Sequence, residues 1–251
     1  MPSHVKAGLS DGAPPSPLQG EAMQTASTQP SLARLMIWLS PAYPVGGYSY
    51  SHGLEWIVEA GKVRDAASLG AWIEDVLAHG AGRSDAIFLA EAWRALAAGD
   101  MAAFEQAAEL AGALAPSAER RLETMAQGTA FLAATLAAWP KPELAALAAD
   151  GREVAYPIAV GAAAAVHGLP LVETAQAFAQ AFAANLVSAG VRLIPLGQSD
   201  GLRVLARMEP LIPCVVAAAL ACTLDDVGGA AIAADIASMR HETQYTRLFR
   251  S

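Results

Sequence analysis

The amino-acid sequence predicts an all-α fold, a single globular domain built from roughly nine or ten packed helices, most of them about 10–20 residues long. Three observations predict it. Apolar residues recur at helical spacing, segments that alternate apolar and polar residues are nearly absent, and glycine and proline separate the periodic runs. No linker divides residues 31–240. The clearest run, at i, i+3, i+4, i+7 and i+8, is Leu69, Trp72, Ile73, Val76 and Leu77.

The first predicted helix ends after Trp38, because Pro41 and Pro44 follow it and proline cannot continue a helix. The next stretch, 40–55, holds two prolines, two adjacent glycines and three tyrosines, which cannot all lie inside one helix. We expect an ordered loop that leads into a helix around Trp56. Such a loop either binds something or connects two helices, with its tyrosines covering the core.

Capping residues indicate where three middle helices start. Asp65, Asp100 and Ser117 each precede a periodic apolar run, and their side-chain oxygens can accept hydrogen bonds from the free N–H groups of the first turn. The runs after the last two are Met101, Phe104, Ala108, Ala111 and Leu114, and then Leu122, Met125, Thr129, Ala133 and Leu136. The predicted separators in this region are Gly61, Gly80, Gly82 and Gly99.

A long helix is predicted after Pro170, with an apolar stripe made by Phe178, Phe182, Leu186, Ala189 and Leu193. Pro195 falls inside this otherwise helical run and is expected to kink or end it. The segment 185–198, NLVSAGVRLIPLGQ, therefore offers Gln198 just beyond a helix end. The residues alone leave two interpretations open: a functional segment, or a kinked core helix whose Arg192 pairs with a carboxylate.

Composition and charge exclude several classes of protein. The chain has 251 residues, 54% of them hydrophobic, and a formal net charge of −8. This charge argues against nucleic-acid binding, because phosphates require a basic face. Neither apolar stretch predicts a membrane span: 154–172 contains prolines and is mostly alanine, and 211–224 is too short for a ~30 Å hydrocarbon core. Cys214 and Cys222 show no disulfide pattern, which favours a cytoplasmic location.

Residues 1–30 are predicted to be a disordered leader. They carry five prolines among Ser, Thr, Gly and Gln, and they lack the basic and apolar regions of a secretory signal. The expected organisation is therefore a leader at 1–30, an all-α domain at 31–240 and a C-terminal tail at 241–251.

The sequence predicts neither an enzyme nor a cofactor. It contains no P-loop and no GxGxxG turn after a strand, and its five histidines form no metal-binding spacing. The nearest catalytic motif is Gly47-Tyr-Ser-Tyr-Ser51, in which a serine replaces the last glycine of GxSxG. A hydrolase that uses Ser49 or Ser51 is an alternative, and no catalytic or metal-binding residue is assigned.

The most distinctive stretch is the end of the chain, Arg240-His-Glu-Thr-Gln-Tyr-Thr-Arg-Leu-Phe-Arg-Ser251. After a long region rich in alanine and leucine, it offers aromatic and cationic side chains, the types that anchor protein interfaces. Two interpretations are open. Either the tail recognises a partner and becomes ordered on contact, or its apolar residues fold back onto their own domain.

Three segments together resemble the urease accessory protein family UreF: SPAYPVGGYSYSHGLE at 40–55, NLVSAGVRLIPLGQ at 185–198 and RHETQYTRLFRS at 240–251. The resemblance extends over residues 31–251 and leaves out the leader. It implies an all-α homodimer without a catalytic centre, which binds the accessory protein UreD, called UreH in some organisms. That complex is expected to recruit the nickel-carrying GTPase UreG and to dock on apo-urease, where nickel reaches the active site.

The resemblance also implies which residues contact partners. In the C-terminal motif they are His241, Glu242, Tyr245, Arg247, Leu248, Phe249 and Arg250, and in the other two motifs they are Tyr48, Tyr50, His52, Glu55 and Gln198. The arginines would supply forked donors to carboxylates, and Phe249 would be an apolar anchor. The tail is expected to become ordered against UreD and to help form the surface that binds UreG.

The implied function is that of a non-enzymatic metallochaperone scaffold that binds neither membrane nor nucleic acid. A different class of function stays open beside it. In this alternative the chain is a small-molecule-binding, all-α regulatory protein, and the loop from Tyr43 to Glu55 lines its pocket.

Overall fold

The helical periodicity of the sequence is realised throughout the part of the chain that the computed structural model describes, Met1 and residues 29–251. These residues form helices, turns and loops without a β-strand, which confirms the all-α prediction. The helices are α1 (Gln29–Trp38), α2 (Leu54–Glu59), α3 (Ala66–His79), α4 (Ala81–Ala98), α5 (Met101–Ala113), α6 (Ala118–Ala138), α7 (Pro142–Leu147), α8 (Tyr156–Val166), α9 (Leu171–Leu193), α10 (Gln198–Met208), α11 (Leu211–Leu220) and α12 (Ile232–His241). Single 3-10 turns lie at Gly47–Ser49, Ala149–Gly151 and Leu224–Asp226.

The three helix starts predicted from N-capping residues are confirmed. Asp65 accepts a hydrogen bond from the N–H of Ser68 at 2.8 Å. The other two caps, Asp100 and Ser117, accept from the third residue of α5 and of α6 in the same way. The long helix α9 ends at Leu193, two residues before Pro195, as the missing N–H of proline requires.

The core is built around α4 and α8, which pack on each other and on α5, α6 and α9. The sequence of α8, YPIAVGAAAAV, is apolar on all sides, as expected of a helix surrounded by others. Its backbone approaches α4 very closely, because a Cβ at Gly161 would lie only 2.3 Å from the carbonyl oxygen of Leu89. Small side chains therefore set the distance between the two central helices.

The predicted apolar stripes of α5 and α6 are wrong at five positions. The exposed residues are Met101, Leu114, Leu122, Thr129 and Ala133. On α6 the reason is a competing interaction: the helix turns Arg120 and Glu123 inward to form a buried ion pair, and Leu122 then faces outward. Hydrophobic periodicity alone does not register such an inward-facing charged pair.

The predicted break at Gly82 is also wrong, because this residue lies inside α4. A Cβ at Gly82 would lie 2.8 Å from the Cα of Leu77. Glycine is therefore needed there for the close approach of α3 and α4 at their junction, while Gly80 separates the two helices.

Among the described residues, no helix is both long enough and apolar enough to span a bilayer. The predicted leader at 1–30 lies outside the described residues, apart from Met1 and the first two residues of α1.

Candidate functional site

The C-terminal segment, which comprises residues 242–251, folds back against the tyrosine-rich loop that precedes α2. The backbone N–H of Arg250 donates to the carbonyl of Ser49 at 2.8 Å. The N–H and the hydroxyl of Ser51 both donate to the carbonyl oxygen of Ser251, at 2.7 and 2.6 Å. Ser51 is buried, and no strand precedes it in residues 29–50, so a nucleophile elbow does not form at this serine.

Glu55, in the first turn of α2, anchors this segment. Its carboxylate accepts hydrogen bonds from the backbone N–H of Leu248 at 2.7 Å and from that of Phe249 at 2.9 Å. Its Oε2 atom also lies 3.2 Å from Nε2 of His241. Glu55 and His241 are both buried, so these contacts replace the water that a carboxylate otherwise needs. Glu55 is therefore one of the side chains that fix the position of the segment.

Charged groups also connect the segment to α6. Nδ1 of His241 lies 2.6 Å from Oε2 of Glu119, and Arg247 donates to the other oxygen of that carboxylate at 2.5 Å. Glu242 accepts a hydrogen bond from the N–H of Ala118 at 2.7 Å. This N–H lies in the first turn of α6, where unpaired N–H groups and the helix dipole favour an anion.

A second buried carboxylate, that of Glu123 in α6, is the centre of an ion cluster. It pairs with Arg120, which lies three residues earlier on the same helix. It also accepts hydrogen bonds from Nε2 of His52 at 2.8 Å, from Gln127 at 3.0 Å and from the hydroxyl of Ser251 at 2.6 Å. Burial by itself would raise the pKa of Glu123, but the charge of Arg120 and the contacts with His52 and Ser251 outweigh it and lower the pKa to about 2.

His52 reaches this cluster because the loop adopts left-handed backbone conformations, with φ 57° at His52 and φ 77° at Gly53. A Cβ at Gly53 would lie 2.5 Å from the backbone nitrogen of Ser238 in α12, so glycine is required where the loop meets α12. Burial, reinforced by the charge of Arg120, lowers the pKa of His52. The site therefore favours the neutral form of the ring, although Glu123 opposes this shift.

The segment 185–198 contacts both other motifs. Arg192 of α9 donates to the carbonyl of Tyr48 at 2.8 Å, and its guanidinium lies 4.4 Å from the ring centroid of Phe249. The amide of Asn185 donates to the carbonyl of Tyr50 at 3.3 Å. In the described residues Arg192 bonds backbone carbonyls and makes no ion pair, so the interpretation that pairs it with a carboxylate is wrong. The three segments that carry the family resemblance meet at one place.

A cavity of about 170 Å³ lies beside this meeting point. Tyr43, Tyr48 and His52 of the loop line it, together with Asp85 and Arg120. Burial raises the pKa of Asp85 to about 7, although the charge of Arg120 opposes this shift. A second cavity of about 210 Å³ shares Asp85 and Arg120 with the first. The tyrosine-rich loop therefore does line a cavity, whose mainly apolar walls carry a few charged groups.

The residues that the resemblance implies as partner contacts fall into two groups. The exposed ones are Tyr48, Gln198, Glu242, Tyr245, Arg247, Leu248 and Arg250, and the ones covered by their own chain are Tyr50, His52, Glu55, His241 and Phe249. A covered side chain can act on a partner only through the residues that it positions. The exposed group is therefore the candidate contact surface, and its contact with partners stays a prediction.

Sequence reasoning missed three residues that contact the segment, Ser51, Glu119 and Glu123, and also Arg120, which pairs with Glu123. The only signal available for the last two was their spacing of three residues on a predicted helix. That spacing is equally typical of exposed ion pairs. The contacts of Ser51 and Glu119 with the C-terminal segment span well over a hundred residues, and no local pattern predicts them.

The fold and the site define an all-helical protein whose distinctive surface is a docked C-terminal segment with aromatic, aliphatic and cationic side chains facing outward. In the part of the chain that is described, no group of three or more His, Cys, Asp and Glu side chains is arranged to hold a metal ion.

Comparison with known proteins gives the family. The family model UreF matches residues 63–209. The chain is 57% identical over 222 residues to "Urease accessory protein UreF" of Rhodopseudomonas palustris strain HaA2, covering 88% of this chain and 94% of the relative. It is 58% identical over 222 residues to the protein of the same name from Xanthobacter autotrophicus, covering 88% and 91%. The chain therefore belongs to the UreF family of urease accessory proteins.

Proposed function

We propose that this chain is a non-enzymatic scaffold that assembles the nickel centre of urease together with UreD/UreH and the GTPase UreG. The observation that carries the proposal is the outward face of the docked C-terminal segment. Tyr245 and Leu248 are 102% and 75% exposed, although both are large and apolar enough to be costly in water. Exposed aromatic and aliphatic side chains next to arginines are typical of protein-binding surfaces.

The way in which the segment is held supports this proposal. A surface that is ordered before the partner arrives loses less conformational entropy on binding than a flexible tail does. Glu55 holds the backbone of the segment at Leu248, and Glu119 holds the side chain of Arg247. The side chains of Tyr245 and Leu248 stay exposed. We therefore place the contact with UreD/UreH on this segment, and the recruitment of UreG follows from the complex so formed.

Three further parts of the proposal rest on the family membership and the sequence. The chain acts as a homodimer, works in the cytoplasm and needs no cofactor of its own. Nickel is the cargo of the assembly and is delivered to apo-urease. A protein with this role needs surfaces for several partners, whereas bond-making takes place in the GTPase and in urease.

Replacing Arg250 by alanine tests the proposal. Arg250 is exposed and its backbone N–H, which holds it to Ser49, is unaffected by the substitution. We expect an unchanged fold and a loss of about 1–3 kcal/mol in partner binding if its guanidinium pairs with a carboxylate. The measurement is co-purification of the chain with UreD/UreH, followed by capture of UreG and by urease activation in cells.

The matched control is Arg203→Ala, because Arg203 is an exposed arginine on α10 whose recorded ion pair, with Asp200, is on its own helix. Normal UreG capture and normal urease activation by the Arg250→Ala protein would exclude a role for this side chain. If the unmodified chain failed to bind UreD/UreH at all, the scaffold function itself would be wrong.

One observation favours the second candidate function, a small-molecule-binding regulator. The cavity lined by Tyr43, Tyr48 and His52 has the polar group Asp85 on its wall. If this is a ligand site, some small polar compound raises the melting temperature of the wild-type chain and not that of the Asp85→Asn variant. Urease activation would then also be independent of the chain.

A further inference from the structure

Asp85 of α4 lines both cavities and has no partner of its own. Among the described residues, its carboxyl group makes neither a hydrogen bond nor an ion pair. A buried carboxylate without a partner is costly, and burial accordingly raises the pKa of Asp85 to about 7. At neutral pH about half of these carboxyl groups therefore carry a proton. A positively charged ligand can take the place of that proton.

The neighbouring charges leave this acidic group uncompensated. Arg120 lines the same two cavities, but its guanidinium pairs with Glu123, and the charges of these two residues act on the pKa of Asp85 in opposite directions. Asp235 lines the second cavity, and burial raises its pKa as well. The cavity walls therefore carry three acidic side chains and one arginine, a balance that favours a cationic occupant.

Five aromatic side chains line the first cavity, namely Tyr43, Tyr48, Tyr156, Phe178 and Phe182. The rings of Tyr156 and Phe178 pack together with their centroids 5.3 Å apart. Aromatic rings attract cations, most strongly where the cation is shielded from water. In the described part of the chain the hydroxyl of Tyr156 takes part in no hydrogen bond, so its oxygen can accept one from a ligand. The cavity thus combines an acidic group with aromatic surroundings that suit an organic cation.

The space suits a small organic molecule better than a metal ion. Its volume of about 170 Å³ far exceeds what one water molecule needs, and it opens to solvent near the exposed residues Tyr48 and Ser188. A metal ion needs several donor atoms within about 2–2.6 Å. In the part of the chain that the structure describes, no three His, Cys, Asp or Glu side chains are arranged in that way.

We propose that the first cavity is a binding site for a small organic ammonium ion, with its charged group at Asp85 and its hydrocarbon part among the aromatic rings. The ammonium N–H groups would donate to the Asp85 carboxylate and to the Tyr156 hydroxyl. The inference does not depend on the proposed function, because a protein that binds partners through its C-terminal segment can also carry this site. Unlike the second candidate function, it leaves the scaffold role in place.

Three probes of similar size test whether the site selects a positive charge: n-butylammonium chloride, n-butanol and sodium butyrate. With the full chain at about pH 8, we expect n-butylammonium to raise the melting temperature and the other two to leave it unchanged, because only the cation pairs with ionised Asp85. Titration calorimetry should give an affinity for n-butylammonium about tenfold higher at about pH 8 than at about pH 6, since the ionised fraction of Asp85 rises through its pKa of about 7.

Asp85→Asn shows which group titrates. The other titratable or charged groups that line the two cavities are Tyr43, Tyr48, His52, Arg120, Glu123, Tyr156 and Asp235. The substitution keeps the size of the side chain and removes its charge, so we expect an affinity for n-butylammonium that is at least about tenfold lower and almost independent of pH. The fold should be kept, because a neutral group replaces a carboxyl group that is costly to ionise, and the melting temperature without a probe checks this.

Asp75→Asn is the matched control, because Asp75 is exposed on α3 and lines neither cavity. This variant should bind n-butylammonium as the wild-type chain does. Tyr156→Phe keeps the ring and removes the hydroxyl, so it should weaken binding less than Asp85→Asn does.

Three results would overturn the inference: no binding of n-butylammonium to the wild-type chain, equal affinity for n-butylammonium and n-butanol, or equal affinity of the wild type and Asp85→Asn for n-butylammonium. The second result would mean an apolar cavity that does not select a charge. None of them bears on the proposed function, which is tested by binding of UreD/UreH and UreG to the chain.

Discussion

Replacing Glu55 by alanine is expected to release the C-terminal segment and to lower the free energy of unfolding by about 3 kcal/mol. The carboxylate of Glu55 accepts the N–H groups of Leu248 and Phe249 and contacts His241, and all of these bonds are lost at once. His241 is then left buried with one of its two carboxylate partners. The measurement is urea unfolding, combined with limited proteolysis of the segment after Arg247 and Arg250.

Glu59→Ala is the control for this prediction. Glu59 is exposed at the end of the same helix and accepts a single hydrogen bond, from Gln244 at 2.5 Å. Its replacement should change the free energy of unfolding by less than about 1 kcal/mol. Equal stability and equal cleavage of the Glu55→Ala and Glu59→Ala proteins would mean that Glu55 does not hold the segment.

The second large effect is expected at Glu123 and depends on pH. The pKa of Glu123 is lowered from 4.5 to about 2 in the folded chain, which corresponds to roughly 3 kcal/mol of stability. Because the folded pKa is the lower one, this contribution is fully present above pH ~4.5 and disappears as the pH falls to about 2. Glu123→Gln should therefore be less stable than the wild type at pH 7, and the difference should vanish in acid.

Urea unfolding at several pH values between 7 and 2.5 measures this difference. Asp85 affects stability over a different pH range, because burial raises its pKa to about 7. Its contribution to the free energy of unfolding is therefore lost as the pH rises from about 4 to 7. Introducing Asp85→Asn into the wild type and into the Glu123→Gln protein separates the contributions of the two carboxyl groups to the pH dependence of stability. A Glu123→Gln protein that is as stable as the wild type at pH 7 would show that the ion cluster does not stabilise the fold.

Local patterns were enough to predict the class of fold and most helix ends. Asp65, Asp100 and Ser117 cap helices as predicted, because capping depends on atoms only three residues apart. Leu122 was misassigned for the opposite reason. Which side of α6 is buried is decided by the partners of Glu123, namely His52 and Ser251, which are far away in the sequence.

The difference between local patterns and contacts of residues far apart in the sequence also applies to the candidate site. The sequence identified the C-terminal tail as distinctive but left open whether it binds a partner or folds back on its own domain. The structure supports the second interpretation for Phe249, which is buried under Arg192. Tyr245 and Leu248 face outward, and their contact with a partner stays a prediction. Contacts with Glu55 help to decide which tail residues are buried and which are exposed. Because Glu55 is far from the tail in the sequence, no local pattern predicts which tail side chains face outward.

The central claim is that the C-terminal segment is already docked in the isolated chain and offers its outer face to a partner. Amide hydrogen exchange of the full chain, alone and bound to UreD/UreH, tests it most directly. We predict protected amides at Leu248 and Phe249 in the free chain, and slower exchange across residues 242–250 in the complex. Exchange of these two amides at the rate of an unstructured peptide in the free chain, or no change in this region on binding, would contradict it.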